Sequence, residues 1–570
     1  MGSRRSMLTL AALMATAIVA PAPPAAAQPA PDLPVWVKAA PAFTPLAPRL
    51  GNRPAMLLET DYPVYGPQTN FDVPELTVSI DAGGYDEPAT MYLYWENRSN
   101  GQRQFYNVGS GFGAAQVDLF GGPGSPATVL VPELSDFRLF GPGSAFGALP
   151  AAVPRTTGLY QFVVEVRDAA GSQVIARSNA MYNFVDGVVS ISGNINGGSW
   201  TANNAYFLAT PVNVTSGTLN IQPGTIILGS NGGQGTLVVR RGAQIVAPGD
   251  AMRPIIFTSE FPVGQRAAGD WGGLVINGAA PVNVPNPTGE GDSGPYGGDD
   301  PNDSSGRLSY VRVEFAGIRF SDQNELNGIA LQGVGRGTQI DHVQVHFNQD
   351  DGIEFFGGTV DAKHVLITDA EDDSLDWTFG WNGRLQHFVA VQRHASADAG
   401  IESDGNEQDP TATPLSDPTI FNATWLGNRV LPGGTSGPGV LFRRGTHVTL
   451  KNFIIQSFTG IGVRVDGADS QAAVGSGIDI SHGFIFNNAG GASNVEAYLQ
   501  GQPNVFFADA RPAGPYDLTG DVTPLNPQAR GAGSAAAPPA DGFFDNVNYI
   551  GGVNPNDPWV WEGWTTWSDN

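Results

Sequence analysis

Residues 348–358, NQDDGIEFFGG, and residues 370–380, AEDDSLDWTFG, carry nearly the same pattern of acidic and apolar positions, 22 residues apart. In each stretch two aspartates precede a short run in which apolar residues alternate with an acidic one. Such alternation is typical of a β-strand, because successive side chains point to opposite faces. A strand that returns at this spacing indicates a structural repeat.

Two series of motifs extend this repeat along the chain. The first is a small residue followed by an apolar one; it begins at Gly328, Gly352, Ser374, Gly400, Gly439 and Gly460, in steps of 24, 22, 26, 39 and 21 residues. The second runs in step with it, and its aligned polar residues are His342, His364, His387, Asn422, Asn452 and His482. Coils of this length predict an all-β chain with a right-handed parallel β-helix over residues 190–550.

The rest of the chain divides into four segments. Two arginines and an apolar run before a small-residue site predict an export signal at residues 1–27, and a Pro- and Ala-rich stretch predicts a linker at 28–50. Alternating runs in residues 51–185 predict a small, Ig-like β-sandwich. Residues 551–570 are rich in tryptophan and predict a C-terminal cap that packs on the last coil.

Charge and cysteine content restrict the function. The formal net charge is −25 and the chain has no cysteine. The negative charge disfavours nucleic acids and anionic membranes, and the lack of cysteine excludes disulfides and thiolate metal sites. No run after the signal reaches the roughly 18 apolar residues of a membrane span. We therefore expect an exported protein in the periplasm, on the cell surface or outside the cell.

Several stretches resemble a known family. They are GTIILG, RPIIFTS, GDWGGLVINGAAPVN, YGGDDPNDSSG, LSYVRVEFAG, DDGIEFFGGTVDAKHV and GIESDGN, followed by the Trp-rich end. Together they are similar to a family of secreted bacterial proteins with a pectin-lyase-like, right-handed parallel β-helix. The resemblance covers about residues 190–570. It implies the fold and leaves the activity open.

Alternation along the strands predicts which side chains point away from the core. The outward residues Glu354, Asp376 and Glu402 form a predicted ladder of three carboxylates on successive coils, about 4.8 Å apart. The neighbouring coils end this ladder with Ala330 and Leu441. Stacked carboxylates repel each other, so either their pKa values rise or a cation lies among them.

Further acids lie in the turns and in one loop. Ca²⁺ prefers six to eight oxygen ligands from carboxylates and carbonyls, which a stack of acidic turns can supply. The predicted metal ligands are Asp350, Asp351, Asp372, Asp373, Asp398 and Asp404, with Asp299, Asp300 and Asp303 in the loop 297–306. The alternative is a solvated acidic face whose aspartates hydrogen-bond backbone groups in their turns.

The ladder Glu354, Asp376 and Glu402 is also the candidate catalytic centre. Glycosidases use two carboxyl groups about 5–5.5 Å apart for retention or about 6.5–9.5 Å apart for inversion, and adjacent or alternate coils offer these separations. The motifs QDD and EDD faintly resemble those of polygalacturonases, but no Arg-x-Lys pair accompanies them. A polysaccharide lyase would pair Ca²⁺ with a basic residue, for which Arg443, Arg444 and Arg464 are candidates.

The aligned histidines and asparagines have two interpretations. Polar ladders at a β-helix corner hydrogen-bond the coils above and below, and we expect this structural role. His364 and His387 share coils with the acids and are the candidates for a metal or acid–base role.

The sequence therefore favours a non-enzymatic, exported β-helix protein. We expect it to be stabilised by Ca²⁺ and to bind glycans, such as a polysaccharide, or another cell-surface partner. The alternative is a polysaccharide lyase or glycoside hydrolase that uses the acids of residues 348–405.

Overall fold

The fold is described by a computed structural model of the chain. It covers residues 55–567 except 61, 67–73, 82–87, 108–110, 115–133, 141–143, 145–148, 151, 172–173, 233, 322–323, 394–395, 430–432, 511–533 and 555–558. The predicted export signal, residues 1–27, and the predicted linker, residues 28–50, lie outside the described residues.

The N-terminal region contains two antiparallel sheets. One is formed by Ala55–Thr60, Leu76–Asp81 and Leu134–Phe140. The other is mostly antiparallel and is formed by Val64–Tyr65, Val174–Phe184, Gly158–Asp168, Ala89–Asn97, Arg103–Asn107 and Gly111–Gly113. Their side chains share one hydrophobic cluster, which also includes Phe207 and Ile226 of the region that follows. The two sheets therefore pack on the first coils and not only on each other.

From Gly187 onwards the strands pair in parallel, coil upon coil, as a right-handed β-helix. The first coils use Gly187–Ile195, Gly198–Trp200, Asn204–Val214, Thr218–Ile221, Ile226–Gly229, Gln244–Pro248 and Ile255–Ser259. Inward aliphatic and aromatic side chains form one continuous core along the stack. The predicted β-helix is thus confirmed.

Two sets of strands continue through the later coils. The first sheet contains Thr236–Val239, Leu274–Asn277, Ile329–Gln332, Ile353–Phe356, Leu375–Thr378, Ile401–Asp404, Val440–Arg443 and Val463–Val465. The second set consists of longer, bent strands: Gly306–Glu314, Gln339–Asn348, Asp361–Ala370, Arg384–Val391, Thr419–Leu426, Val448–Gln456, Ile478–Phe486 and Val505–Phe506.

The last step of the repeat differs from the prediction. Val440 pairs with Val463, so the small residue that opens this strand is Gly462 and not Gly460. Both glycines precede an apolar residue, which is why the sequence motif alone chose the wrong one.

The first seven long strands each have a residue with positive φ at their bend, and Asn504 takes the same position just before the eighth. Phe347 and Asp369 are further positive-φ residues near the ends of two of these strands. The residues at the bend position stack from coil to coil and are Tyr310, His342, His364, His387, Asn422, Asn452, His482 and Asn504. We call them the corner column. The left-handed conformation is unfavourable for most side chains and best tolerated by glycine, asparagine and aspartate, which fits the two asparagines in the middle of the column.

Residues 534–554 and 559–567 form a strap along the side of the β-helix. Asn504 donates to the carbonyl of Ser534 near one end of the strap, and Arg312 donates to that of Trp564 near the other. The strap therefore runs back across the coils. The sequence predicts a cap on the last coil, and the described residues of the strap lie along the side of the β-helix instead. It covers an apolar outward column that includes Leu366, Val389, Ile454 and Phe484.

Helices are short and few among the described residues. They are Ala468–Ala472, Glu496–Gln500 and the 3-10 turn Trp559–Trp561. Two short hairpins, Thr288–Gly289 with Gly294–Pro295 and Arg319–Ser321 with Asn324–Glu325, project from the coils. In this part of the chain no helix has the length and hydrophobicity needed to cross a membrane.

Candidate functional site

The three predicted carboxylates form one column on the outer face of the first sheet. Glu354 pairs in register with Asp376, and Asp376 with Glu402. The preceding coil places Ala330 in the column and the following one Leu441. This register is the one that the sequence predicted, because the strand repeat keeps its phase through these coils.

A loop covers the start of this acidic column. Tyr296 and Leu326 pack with Ala330 and Phe356, on either side of Glu354. Consequently Glu354 is only 8 % exposed although it points away from the core. The site is therefore closed at Glu354 and opens towards Glu402, whose side chain is 23 % exposed.

Several groups of acids are close enough to share a cation, and one of them, Asp351 with Asp372 and Asp373, joins the inner and outer groups described next. In the inner group, carboxylate oxygens of Asp351, Glu354 and Asp376 all lie within 4.8 Å of one another. In the outer group the same holds for Glu325, Asp350 and Asp372. An ion with bonds of about 2.4 Å can bridge oxygens up to about 4.8 Å apart, so both groups fit Ca²⁺ by size.

Two side-chain oxygens beside Glu354 have no partner. Asp376 Oδ1 and Asn327 Oδ1 are buried and accept no hydrogen bond within the described residues. Asn327 is 1 % exposed, and its Nδ2 donates to Glu354 Oε2 at 2.6 Å, which places its amide against the inner group. Buried acceptors without a donor are unfavourable, so they point to a positively charged or donating group that binds here.

The second aspartate of each DD pair has a structural role. Asp351 Oδ1 accepts the backbone N–H of Asp373 at 3.0 Å, and Asp373 Oδ1 accepts that of Ala399 at 2.5 Å. Each of these side chains thus fixes the turn of the next coil. This is the turn-capping role that the sequence left as an alternative, except that the bond crosses between coils.

Burial and mutual repulsion favour the protonated forms of these acids. Burial is the main cause of the rise in the pKa of Asp351, Glu354, Asp373 and Asp376 well above their usual range, and neighbouring carboxylates add to it. The pKa of Asp350 rises to about 8, first through burial and then through Glu325 and Asp372. A bound cation would favour the charged forms and reverse this effect.

Arginines occupy the open end of the column. Arg443 donates to Glu402 and, at 2.6 Å, to Asp404, and Arg444 Nη1 lies 2.5 Å from Asp404. The pKa of Glu402 is still raised to about 7, mainly by burial. Asp404 faces two guanidinium groups, so its contacts argue against the predicted metal role. Arg464 pairs with Asp466 instead.

Of the remaining predicted metal ligands, Asp398 lies beside Asp372 of the outer group, to whose carbonyl its N–H donates at 3.1 Å, and the other three lie in the loop 297–306. In the loop 297–306, Asp299 and Asp300 are exposed, and Asp300 Oδ1 accepts the N–H of Asn302 at 2.9 Å, an ordinary aspartate turn. Asp303 Oδ2 accepts the hydroxyl of Ser305 at 3.4 Å. Asp398 is exposed in the turn after Asp372.

His364 and His387 lie in the corner column, away from the acids. His364 Nδ1 is 2.8 Å from Asp341 Oδ1, and His387 Nε2 is 3.3 Å from Asp545 Oδ2 in the strap. Their rings are stacked with centroids 4.7 Å apart. Ligand atoms of His364, His387 and Asp545 lie within 4.8 Å of one another, as do those of Asp341, His342 and His364, so the spacing there would admit a cation.

Asn422 bonds both a neighbouring coil and the strap, since its Oδ1 accepts from Gln386 Nε2 of the preceding coil at 3.1 Å, whereas Asn452 bonds the strap. Asn422 Nδ2 donates to the carbonyl of Tyr549 at 2.8 Å. Asn452 donates to the carbonyl of Ala536 at 2.9 Å and accepts its N–H at 2.7 Å. The expected coil-to-coil bonding is therefore found at Asn422, and at Asn452 backbone groups of the strap take its place.

The sequence did not point to Glu290, Glu325 or Asn327. Glu290 approaches from the covering loop, and its pKa is raised to about 7, mainly by burial and then by Glu325. Asn327 occupies the repeat position of Asp351 and Asp373 but is not acidic, so a search for carboxylates passed over it, whereas Glu290 lies outside the repeat.

Comparison with known proteins adds the family. A family model described as "Pectate-lyase like beta helix domain" matches residues 194–514, more than half of the 570-residue chain. No curated protein and no solved structure matches the chain.

Proposed function

The chain belongs to the pectate-lyase-like β-helix family, and we propose that it is an exported, Ca²⁺-stabilised protein that binds a glycan or another cell-surface component without catalysis. The observation that carries the calcium part is the inner group with its two unpartnered oxygens, Asp376 Oδ1 and Asn327 Oδ1. An all-oxygen donor set suits hard cations such as Ca²⁺.

The closed shape of the site supports binding over catalysis. Glu354 is covered, and the arginine nearest the column, Arg443, already pairs with Glu402 and Asp404. A glycan would therefore meet the column only at its open end. The net charge of −25 suits a neutral glycan better than an acidic one unless a cation lies between them.

A calcium titration tests the proposal. We expect Ca²⁺ to raise the melting temperature of the EDTA-treated protein, and the double variant Glu354→Gln, Asp376→Asn to lose that rise while remaining folded. Asp299→Asn with Asp300→Asn is the matched control and should keep the full response. A wild-type melting temperature that is the same in EDTA and in Ca²⁺ would contradict the proposal.

The alternative function is a polysaccharide lyase or glycoside hydrolase. Glu402 favours it, since it is partly exposed, its pKa is raised to about 7 and Arg443 lies against it. A screen of polysaccharides for cleavage, with Glu402→Gln as the inactive control, separates the two functions. Turnover that disappears in this variant would replace the binding proposal by an enzymatic one.

A further inference from the structure

The strap is attached to the β-helix by polar bonds from several coils. Gln344 and Thr566 exchange two hydrogen bonds, at 2.7 and 2.9 Å, and Gln386 and Asp545 exchange two more, at 2.9 and 2.7 Å. Trp564, a residue of the strap, is fully buried. These bonds place the strap directly over the corner column.

Three histidines of the corner column lie beneath the strap. His342 stacks on His364 with ring centroids 4.2 Å apart, and His364 stacks on His387 at 4.7 Å. Trp559 meets His342 and His364 edge-on from the strap. The stacked rings and the strap tryptophan therefore form one contact surface.

The charges around these histidines are limited in number. Asp341 Oδ1 lies 2.9 Å from His342 Nδ1 and 2.8 Å from His364 Nδ1. The carboxylate of Asp545 lies 3.3 Å from His387 Nε2 and 3.0 Å from Lys363 Nζ. With neutral imidazoles, two carboxylates face one ammonium group. With three imidazolium rings, the same two carboxylates face four cations.

We propose that mild acid loosens the strap, because protonation of the histidines reverses the charge balance beneath it. Stacked imidazolium rings repel each other at these separations. Release of the strap removes Asp545, one of the two compensating carboxylates, but it returns the rings to water, where their charge is well tolerated. It also exposes the apolar column of Leu366, Val389, Ile454 and Phe484.

The titration behaviour agrees with this direction. Burial is the main cause that lowers the pKa of His364 and of His387, against the opposing effect of Asp341 and Asp545. The strap-bound state thus binds fewer protons than the open state just below the usual histidine pKa of about 6.5, and its stability falls as the pH falls through that range. Glu562 and Asp250 face Tyr310 at the end of the column.

Amide hydrogen exchange of residues 559–567 tests the proposal, after correction for the intrinsic pH dependence of exchange. Between about pH 7.5 and about pH 5.5 we expect opening of the strap to increase about tenfold for each unit by which a histidine pKa lies below its unfolded value. The strand Val448–Gln456 should keep its protection, which separates strap release from unfolding.

Asparagine is the matched substitution, because Asn422 and Asn452 already occupy the same left-handed position. We expect His364→Asn with His387→Asn to remove the pH dependence of strap exchange. His482→Asn, beyond the histidine stack, should leave it unchanged. If the double variant does not fold, each single variant should partly reduce the pH dependence of strap exchange. Equal strap protection at both pH values, or an unchanged dependence in the variants, would overturn the proposal.

Discussion

The acidic column and the corner column are two ladders built by the same repeat, and they differ in whether the chain supplies their partners. The corner column meets carboxylates, tryptophans and backbone groups of the strap. The acidic column gathers carboxylates around Glu354 and leaves Asp376 Oδ1 without a donor. A ladder whose partners lie within the chain is explained by folding, whereas one with buried, unpartnered oxygens points to a group from outside.

The largest expected effect on stability is at the corner column, whose partners lie within the chain. Trp564 is fully buried between the strap and the coils, so Trp564→Ala should reduce the free energy of unfolding by about 3–5 kcal/mol. The loss should be the same in EDTA and in Ca²⁺. Chemical denaturation measures it, with the partly exposed Phe507→Ala as a control that changes little. A small loss in Trp564→Ala would show that the strap contributes little stability.

The next effect concerns pH in the metal-free acidic column. The pKa of Asp350 is about 8 in the folded chain against 3.8 ordinarily, so the folded state holds an extra proton between these values. Stability in EDTA should therefore fall as the pH rises through this window, by up to about 1.4 kcal/mol for each pH unit. Saturating Ca²⁺ should restore it at the upper end. Denaturation curves at several pH values, with and without Ca²⁺, measure the pH dependence and the effect of the ion. Stability in EDTA that does not change with pH would contradict the proposed repulsion between the carboxylates.

A smaller effect should come from one attachment point of the strap. Asn452 exchanges two hydrogen bonds with Ala536 and has a φ of 58°. Asn452→Ala should reduce stability by about 1–3 kcal/mol, since it loses these bonds and places alanine in a left-handed conformation. Asn452→Gly loses only the bonds, so the difference between the two variants isolates the backbone contribution. Equal losses would mean that the corner conformation itself is unimportant.

The smallest effect is expected in the polar loop 297–306. Asp299→Asn with Asp300→Asn should change stability by no more than about 0.5 kcal/mol, because both side chains are exposed. It should also leave the Ca²⁺ response intact. A lost response in this variant would move the calcium site from the acidic column to the loop.

The sequence predicted what depends on period and missed what depends on distant segments. The register of Glu354, Asp376 and Glu402 followed from alternation along each strand and a repeat of nearly constant length. Arg443 was also named from the sequence, as a basic residue close to the acids, and it pairs with Glu402. The approach of Glu290 depends on a loop without a repeat, so no sequence pattern predicted it. The strap left one trace in the sequence, the apolar outward residues Leu366, Val389 and Ile454, which require a cover.

The strap also sets the order in which the molecule is completed. A coil closes over the 22–26 residues of most repeat steps, so the β-helix can grow by local contacts. Arg312 and Trp564 are 252 residues apart, so their contact is a late, long-range event in folding. The earlier coils therefore form with an apolar side uncovered. Residues of the strap, far along the chain, close that side afterwards.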